Sequence, residues 1–404
     1  MKNKKYQKVY MIFILYLLQQ VAANLGHPVT PQFVSNLGIE DYMFGVFFAS
    51  MSFGLMIGGI FWGHLGETIN KKYLIFVGLL LYGLGQFGFG YLGNQYLMSI
   101  ARVVSGFGAA SAVTLFVSQI VESSPKNKRT KNLGYNVAFL TIGASIGYYL
   151  GGQLGDNDFF IRLLGTNNLS VVFLIQALMN VALAFYVLYI FNFEEKEVKP
   201  VKQSMFSSLK YITSLKWTYI IFFVSLTLYS MGKVNVEKYL DVYFNDLGYS
   251  TADIGTFVMV TGLVSLFASF VIVPLFAKMK KQLPAILFIQ LGSAVILFIV
   301  FRSTNFSISV YTLYMLFIMF RTVYQPLEQN YISNHVQDGK YSLTMGIRQS
   351  FFSLGMILGP LLGGFLYQKN PLVLFDSSAI LFILSGILVI LLIIENHRNK
   401  LREI

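Results

Sequence analysis

The chain has 404 residues, 55% of them hydrophobic and only 12% charged, where soluble domains carry about 25% charged residues; its mean hydropathy of +0.62 is more than a water-soluble core absorbs. With no cysteine there is no disulfide framework or thiolate, the four histidines His27, His64, His335 and His397 lack metal-ligand spacing, and no Walker-type glycine loop is present, so no metal, cofactor or direct ATP drive is expected. A net charge of +12 would fit nucleic acid if it covered a folded surface, but the basic residues are confined to short segments between apolar runs, which makes them topological markers and leaves no nucleic-acid partner.

The start MKNKKYQK followed by an apolar run looks like a signal peptide. The run from Val9 to Ala23 continues without an Ala-x-Ala-like cleavage site, and it is read as a retained first span. A bilayer core about 30 Å thick needs roughly 20 apolar residues per helix. Twelve such spans are predicted, near Val9–His27, Tyr42–Trp62, Tyr73–Leu92, Leu97–Val121, Leu133–Leu154, Ser170–Phe191, Trp217–Leu240, Ile254–Phe276, Leu283–Phe301, Ser307–Ser333, Leu343–Tyr367 and Leu372–Ile394. The fold class expected is all-α integral membrane. An even count puts both termini on one side, and 22 of the 30 basic residues fall on that side, with only Arg162, Arg302 and Lys369 opposite. Both termini are therefore expected in the cytoplasm, in a multi-pass plasma-membrane protein of a bacterium. The polar segment 192–216, containing EEKEVKPVKQS, reads as a cytoplasmic linker between a six-helix bundle over 1–191 and a second over 217–404.

The two halves repeat one another. Asn36-Leu37-Gly38 with Gly45 recurs as Asp246-Leu247-Gly248 with Gly255, an offset of 210, and Gly134, Gly143, Gly147, Gly151 and Gly152 recur as Gly346, Gly355, Gly359, Gly363 and Gly364, an offset of 212. Parallel repeats of this kind place one substrate site near the membrane midplane. Glycines at i, i+4 spacing let two membrane helices approach until their backbones touch. One such seam is as readily plain packing as a moving part; two at matched positions favour a hinge or gate built on Gly143, Gly147, Gly151, Gly355, Gly359, Pro360 and Gly363.

Several stripes on the spans are polar. Gln20, Asn24 and His27 fall at i, i+4, i+7 of the first, Tyr229, Lys233 and Glu237 on the seventh, and Arg321, Tyr324, Gln325 and Glu328 on the tenth, while Asn136 and Arg348 match across the 212-residue offset. These are the candidate substrate-binding and coupling residues. Glu237 and Glu328 are the acidic residues placed within spans, against Arg102, Lys233, Lys238, Arg321 and Arg348. A carboxylate in a poorly hydrated cavity holds a proton more tightly, and a neighbouring cation loosens it, so such a group can bind and release a proton as the cavity opens and closes. For Glu237 the alternative is a static i, i+4 ion pair with Lys233; for Glu328, neutralisation of a cytoplasmic gate.

Gly355-Met356-Ile357-Leu358-Gly359-Pro360-Leu361-Leu362-Gly363-Gly364 resembles the GxxxGPxxGG antiporter motif of the major facilitator superfamily, a motif that family carries on its fifth helix, where this chain has Gly147-Tyr148 in place of Gly-Pro. The run Gly63 to Lys72 resembles the loop signature GxLaDrxGrr, with Glu67 acidic, Asn70 in place of a glycine, and Lys71 and Lys72 basic. Arg102, Gly106, Gly108, Ala109 and Ala110 resemble the fourth-helix signature RxxxGxGaa, and PVTPQFVSNLG adds to a likeness with the twelve-helix drug:proton antiporter branch. The resemblance implies two pseudo-symmetric six-helix bundles, a cavity lined by the first, fourth, seventh and tenth helices, proton coupling through Arg102 and an acidic residue of the seventh helix, and a cytoplasmic latch at Glu67, Lys71 and Lys72. A structural arginine bonded to carbonyls is the alternative for Arg102, and plain topology the alternative for the two lysines.

The expected function is proton-coupled efflux of a small amphipathic compound by alternating access, with protons and the lipid bilayer as the other partners and a monomeric chain. Five intramembrane cations against two carboxylates argue against a pump for simple lipophilic cations. Carriage of an anionic metabolite or lipid-linked precursor on Arg321 and Arg348 stays open, as does a transport-inactive receptor. An enzyme is not expected, since no nucleophile, base and orienter cluster is visible.

Overall fold

The computed structural model describes residues 2–66, 69–124, 129–190, 217–277, 279, 281–335 and 341–402; Glu67 and the 192–216 linker lie outside the described residues. Long apolar runs fold as helices because a bilayer core offers backbone N–H and C=O groups no water, and a helix satisfies them within one segment. Twelve long helices follow in chain order: α1 Lys2–Asn24, α2 Tyr42–Leu65, α3 Lys71–Tyr91, α4 Gln95–Ser123, α5 Arg129–Asp156, α6 Ser170–Ile190, α7 Trp217–Asp246, α8 Thr251–Phe267, α9 Gln282–Val300, α10 Leu313–His335, α11 Tyr341–Lys369 and α12 Pro371–Arg402. A π-helical turn, Ala268–Ile272, carries α8 on into Val273–Ala277, and no strand occurs among the described residues. Eleven of the helices hold a stretch long and apolar enough to cross a membrane. The remaining one, α1, has the apolar stretch Tyr10–Asn24 in a helix of 23 residues, about 34 Å at 1.5 Å per residue.

Helix ends differ from the predicted spans where local chemistry overrides hydropathy. The first helix stops at Asn24, because Gly26 is conformationally costly in a helix and Pro28 disfavours helical geometry at the residue before it. His27 therefore sits in the turn beyond α1 and does not continue the Gln20–Asn24 stripe. Conversely, α4 runs on to take in Glu122, and α7 runs on to Asp246, adding Asp241 to the acidic residues within membrane helices. Helix starts are set by asparagine: the side chains of Asn70, Asn94, Asn168 and Asn370 accept from the backbone N–H of Lys72, Tyr96, Ser170 and Leu372 at 3.2, 3.0, 3.0 and 2.8 Å.

The repeat has a structural cause in each of its parts. Gly38 and Gly248 adopt left-handed φ of 66° and 82°, and each closes a helix with the same hydrogen bond, Ile39 N–H to Val34 O at 3.3 Å and Tyr249 N–H to Phe244 O at 3.0 Å. The glycines of α5 meet α1, and those of α11 meet α7, in one register. A Cβ at Gly147 would lie 2.5 Å from Val21 O, and one at Gly359 would lie 2.9 Å from Met231 O; Val21 and Met231 are themselves 210 positions apart. Gly143 likewise faces Leu17 and Gly355 faces Thr227. On α4, Gly106 abuts Met51 O of α2, and Gly108 abuts Gly78 O of α3. The small residues of the RxxxGxGaa run thus seat α4 between α2 and α3.

The described helices cluster into two compact units. One holds α1 to α6 with the end of α7 and the first part of α8, Asp241–Gly262; the other holds α7 to Leu240, α8 from Leu263, and α9 to α12. The first unit has its core around Phe13, Tyr16, Ile75 and Phe116, with a second cluster around Phe33, Phe47, Phe89 and Phe173. In the second, Phe301 stacks on Phe375 at 3.5 Å beside a bidentate Arg302–Asp376 pair with both bonds at 2.6 Å.

These seams give a direct contrast. Gly134, exposed and with nothing within 4 Å of an added Cβ, should tolerate alanine and gain about 0.5–1 kcal/mol of helix preference. Gly147→Ala and Gly359→Ala should each lose about 1–3 kcal/mol through overpacking. Thermal unfolding in detergent measures both; equal behaviour at the three sites would contradict the assigned packing.

Candidate functional site

Five ionisable side chains of the second unit meet on α7, α10 and α11. Lys233 and Glu237 lie one turn apart on α7, with Lys233 Nζ 3.7 Å from Glu237 Oε1. The same carboxylate oxygen accepts from Arg321 Nη1 of α10 at 2.5 Å. The side chains of Lys233, Glu237 and Arg321 are 24%, 21% and 26% exposed. Deeper, Glu328 of α10 is fully buried and takes Arg348 of α11 in a fork: Arg348 Nε donates to its two oxygens at 3.0 and 3.3 Å, and Nη2 bonds Oε1 as well. Arg348 Nη1 donates to Gln349 at 3.0 Å.

Aromatic rings wall this cluster. Phe352 lies 4.9 Å from the Arg348 guanidinium and 5.6 Å from Lys233 Nζ, within range for cation–π attraction. Tyr229 and Tyr324 stack at 3.6 Å, with Phe382 5.1 Å from Tyr229. Gln290 Nε2 donates to Tyr324 Oη at 3.4 Å and to Ser385 Oγ at 2.8 Å. The hydroxyl of Tyr229 is buried without a hydrogen-bond partner. Gln325 is exposed and joins none of these contacts. The arrangement gathers two carboxylates, three cations and a stacked tyrosine pair on three helices.

In the first unit, Arg102 is 4% exposed. Its Nη1 donates to Gln86 of α3 at 3.3 Å, and its guanidinium covers the Phe89 ring at 3.6 Å. Among the described residues no carboxylate lies within ion-pairing distance of it. Nearby polar groups converge on α1: Tyr82 Oη and Gln176 Nε2 both donate to Ala23 O, at 3.1 and 2.7 Å. Gln20 donates to Gln19 at 2.8 Å, and Asn24 donates to Gln20 O at 2.8 Å. Asn136 is buried with its Oδ1 unpartnered.

The His27 ring lies between Phe48 at 5.9 Å and Tyr148 at 5.4 Å, parallel to both within 12°. Tyr148 Oη donates to Asp241 Oδ2 at 3.2 Å, and Thr251 Oγ1 donates to Gly152 O at 3.0 Å. Asp241, 3% exposed, is absent from the sequence reading because that reading ended the seventh span at Leu240. The signal that finds it is the amphipathic continuation of α7 through Val242 and Phe244, both buried. At the opposite end of α3, Lys71 Nζ bonds Glu122 Oε1 at 2.5 Å and Ser118 Oγ at 2.9 Å, while Lys72 lies over Tyr73 at 4.9 Å. The Pro360 carbonyl within α11 accepts from Tyr239 Oη at 3.1 Å.

A polytopic helical repeat with paired charges inside its membrane helices is the architecture of a secondary transporter. The Major Facilitator Superfamily model matches residues 12–336 and 284–404, and the chain belongs to that family. It is 27% identical to the quinolone resistance protein NorA of Staphylococcus aureus strain MSSA476, over 97% of this chain and 98% of that one. It is 24% identical to multidrug resistance protein 2 of Bacillus subtilis, over 89% of each. Among solved structures, a bacterial homologue of the human lysosomal transporter Spinster superposes with a TM-score of 0.79 at 14% identity, over 96% of each chain. A D-xylose–proton symporter reaches 0.68 at 14% identity, over 95% of this chain and 97% of that one; both likenesses concern the fold.

Removing one member of a buried pair leaves an uncompensated charge, at a cost of about 3–5 kcal/mol. Arg348→Met and Glu328→Leu should therefore each lower the yield and melting temperature of detergent-solubilised protein sharply. The double variant should recover most of the loss in a double-mutant cycle; additive losses would show that the two side chains act independently.

Proposed function

We propose that the chain is a proton-coupled exporter of small amphipathic compounds in a bacterial plasma membrane, working by alternating access. The observation that carries this reading is Glu237, a carboxylate inside a membrane helix that faces two cations and keeps about a fifth of its side chain accessible. A charged side chain at that depth is expensive and is a functional residue by default. A proton and a cationic substrate group compete for one carboxylate, so binding either excludes the other, which is the thermodynamic requirement of exchange. Similarity to proteins named for quinolone and multidrug resistance supports amphipathic drugs as cargo.

Other residues take roles in keeping with their surroundings. Arg102, held by a neutral amide and a ring and without an ion-paired carboxylate among the described residues, biases the movement of a proton. In the second unit, Tyr229, Tyr324 and Phe352 offer aromatic faces beside Lys233 and Glu237. The α1–α5 and α7–α11 glycine seams are the surfaces on which helices shift, and Lys71–Glu122 is a releasable tie between α3 and α4.

Glu237→Gln tests this in proteoliposomes with an imposed pH gradient. Gradient-driven substrate movement should fall to background, and the substrate affinity of the purified variant should fall about tenfold or more, because the neutral amide stands in for the protonated carboxyl that excludes the substrate. Undiminished gradient-driven transport would remove Glu237 from the coupling role.

A further inference from the structure

A cavity of about 480 Å³ opens in the second unit where α7 begins and α10 and α12 end. It is remote from the ion cluster, since Trp217 in its wall and Lys233 are about 24 Å apart along α7 at 1.5 Å per residue. Its depth in the membrane follows from α12. The apolar stretch from Leu372 to Ile394 is about 34 Å long, enough to cross a hydrocarbon core of about 30 Å. Glu395, the next residue, and Arg398, one turn on, therefore lie at headgroup level, on the face that the count of basic residues assigns to the cytoplasm. Trp217, 70% exposed at the start of α7, stands at the same boundary, where amphipathic rings collect.

The lining divides by chemistry. Ile221, Leu391 and Ile394 form an apolar side toward the membrane core. On the polar side, the Asn396 side chain is hydrogen-bonded to Tyr331 of α10. Glu395 and Arg398 also line the cavity. At i, i+3 on one helix they are neighbours, yet among the described residues neither has an ion-pairing partner. Two opposite charges are thus presented side by side to one cavity with an apolar wall.

We propose that this cavity is a phospholipid site of the cytoplasmic leaflet, selective for a headgroup that carries a phosphate and a primary ammonium. The phosphate sits at Arg398, the ammonium at Glu395, and an acyl chain lies along Ile221, Leu391 and Ile394. A guanidinium holds a phosphate, and a carboxylate an ammonium, through charge-assisted hydrogen bonds. The Trp217 and Tyr219 rings in the same wall add cation–π attraction for the ammonium. A glycerol headgroup would leave Glu395 facing a phosphate, like charge against like. A choline headgroup has no N–H to offer it. The apolar wall favours a lipid over a soluble phosphate ester, and the site is independent of the export reading.

Trp217 is one of two tryptophans in the chain and reports occupancy. The purified full chain in detergent is titrated with phospholipids whose brominated acyl chains quench nearby indole emission and whose headgroups are ethanolamine, glycerol or choline. Trp217→Phe supplies the background from Trp62. The ethanolamine lipid should half-saturate the quenching at a concentration about tenfold below the other two, as a hydrogen bond between charged groups allows. Glu395→Gln should erase that preference by weakening the ethanolamine lipid alone. Arg398→Gln should weaken all three lipids, and Arg398→Lys should restore them. Free phosphoethanolamine at the same concentrations should leave the lipid bound. Equal quenching by the three lipids in the parent chain, a preference that survives Glu395→Gln, or binding indifferent to Arg398→Gln overturns the site. Displacement by free phosphoethanolamine makes the occupant a soluble phosphate ester and overturns the lipid assignment.

Discussion

A carboxylate on α7 shared by two cations is the interaction around which the second unit is organised. Glu237 holds Arg321 at 2.5 Å and faces Lys233 at 3.7 Å, and so links α7 to α10. Bringing charges into a membrane domain is costly unless they pair and hydrogen-bond. The pairs found here constrain the packing of three helices at once, since Arg348 of α11 must reach Glu328 of α10 for the same reason. The Arg348–Glu328 pair is closed, whereas the Glu237 carboxylate is divided between two cations.

Glycine seams complement this charge logic. Ion pairs fix which faces meet, and the seams fix how closely. Val21 O and Met231 O sit against the glycines of α5 and α11 without an intervening side chain, so the helices carrying the Gln20–Asn24 pair and the Lys233–Glu237 pair are each backed by a bare backbone surface. Small residues of this kind let membrane helices associate through close van der Waals contact. Where α4 needs the same intimacy, Gly106 and Gly108 provide it on two sides, and Arg102 is carried inward against Gln86 and Phe89.

Local spacing made the helices, the repeat and the polar stripes legible in the chain itself. Gly143, Gly147 and Gly151 announced a seam, and the i, i+4 relation of Lys233 and Glu237 announced a pair. Contacts between distant segments were not legible in that way. Nothing in spacing shows that Arg321, 84 residues on, takes Glu237, or that Lys71 finds Glu122 across 51 positions. The Arg348–Glu328 fork turns two separately read residues into one neutral unit. Hydropathy also cut α7 short, hiding Asp241, and ran the first span past Gly26 to His27, putting His27 on a helix it does not join.

The central claim is that proton and substrate contend for Glu237. The measurement that tests it most directly is proton release on substrate addition, followed with a pH indicator in weakly buffered detergent solution of the purified chain. Wild type should release protons in proportion to substrate bound, over an acid range set by the carboxyl group, and Glu237→Gln, brought to the same degree of binding with more substrate, should release none. Equal release from the variant, or binding without release in wild type across that range, would contradict the account.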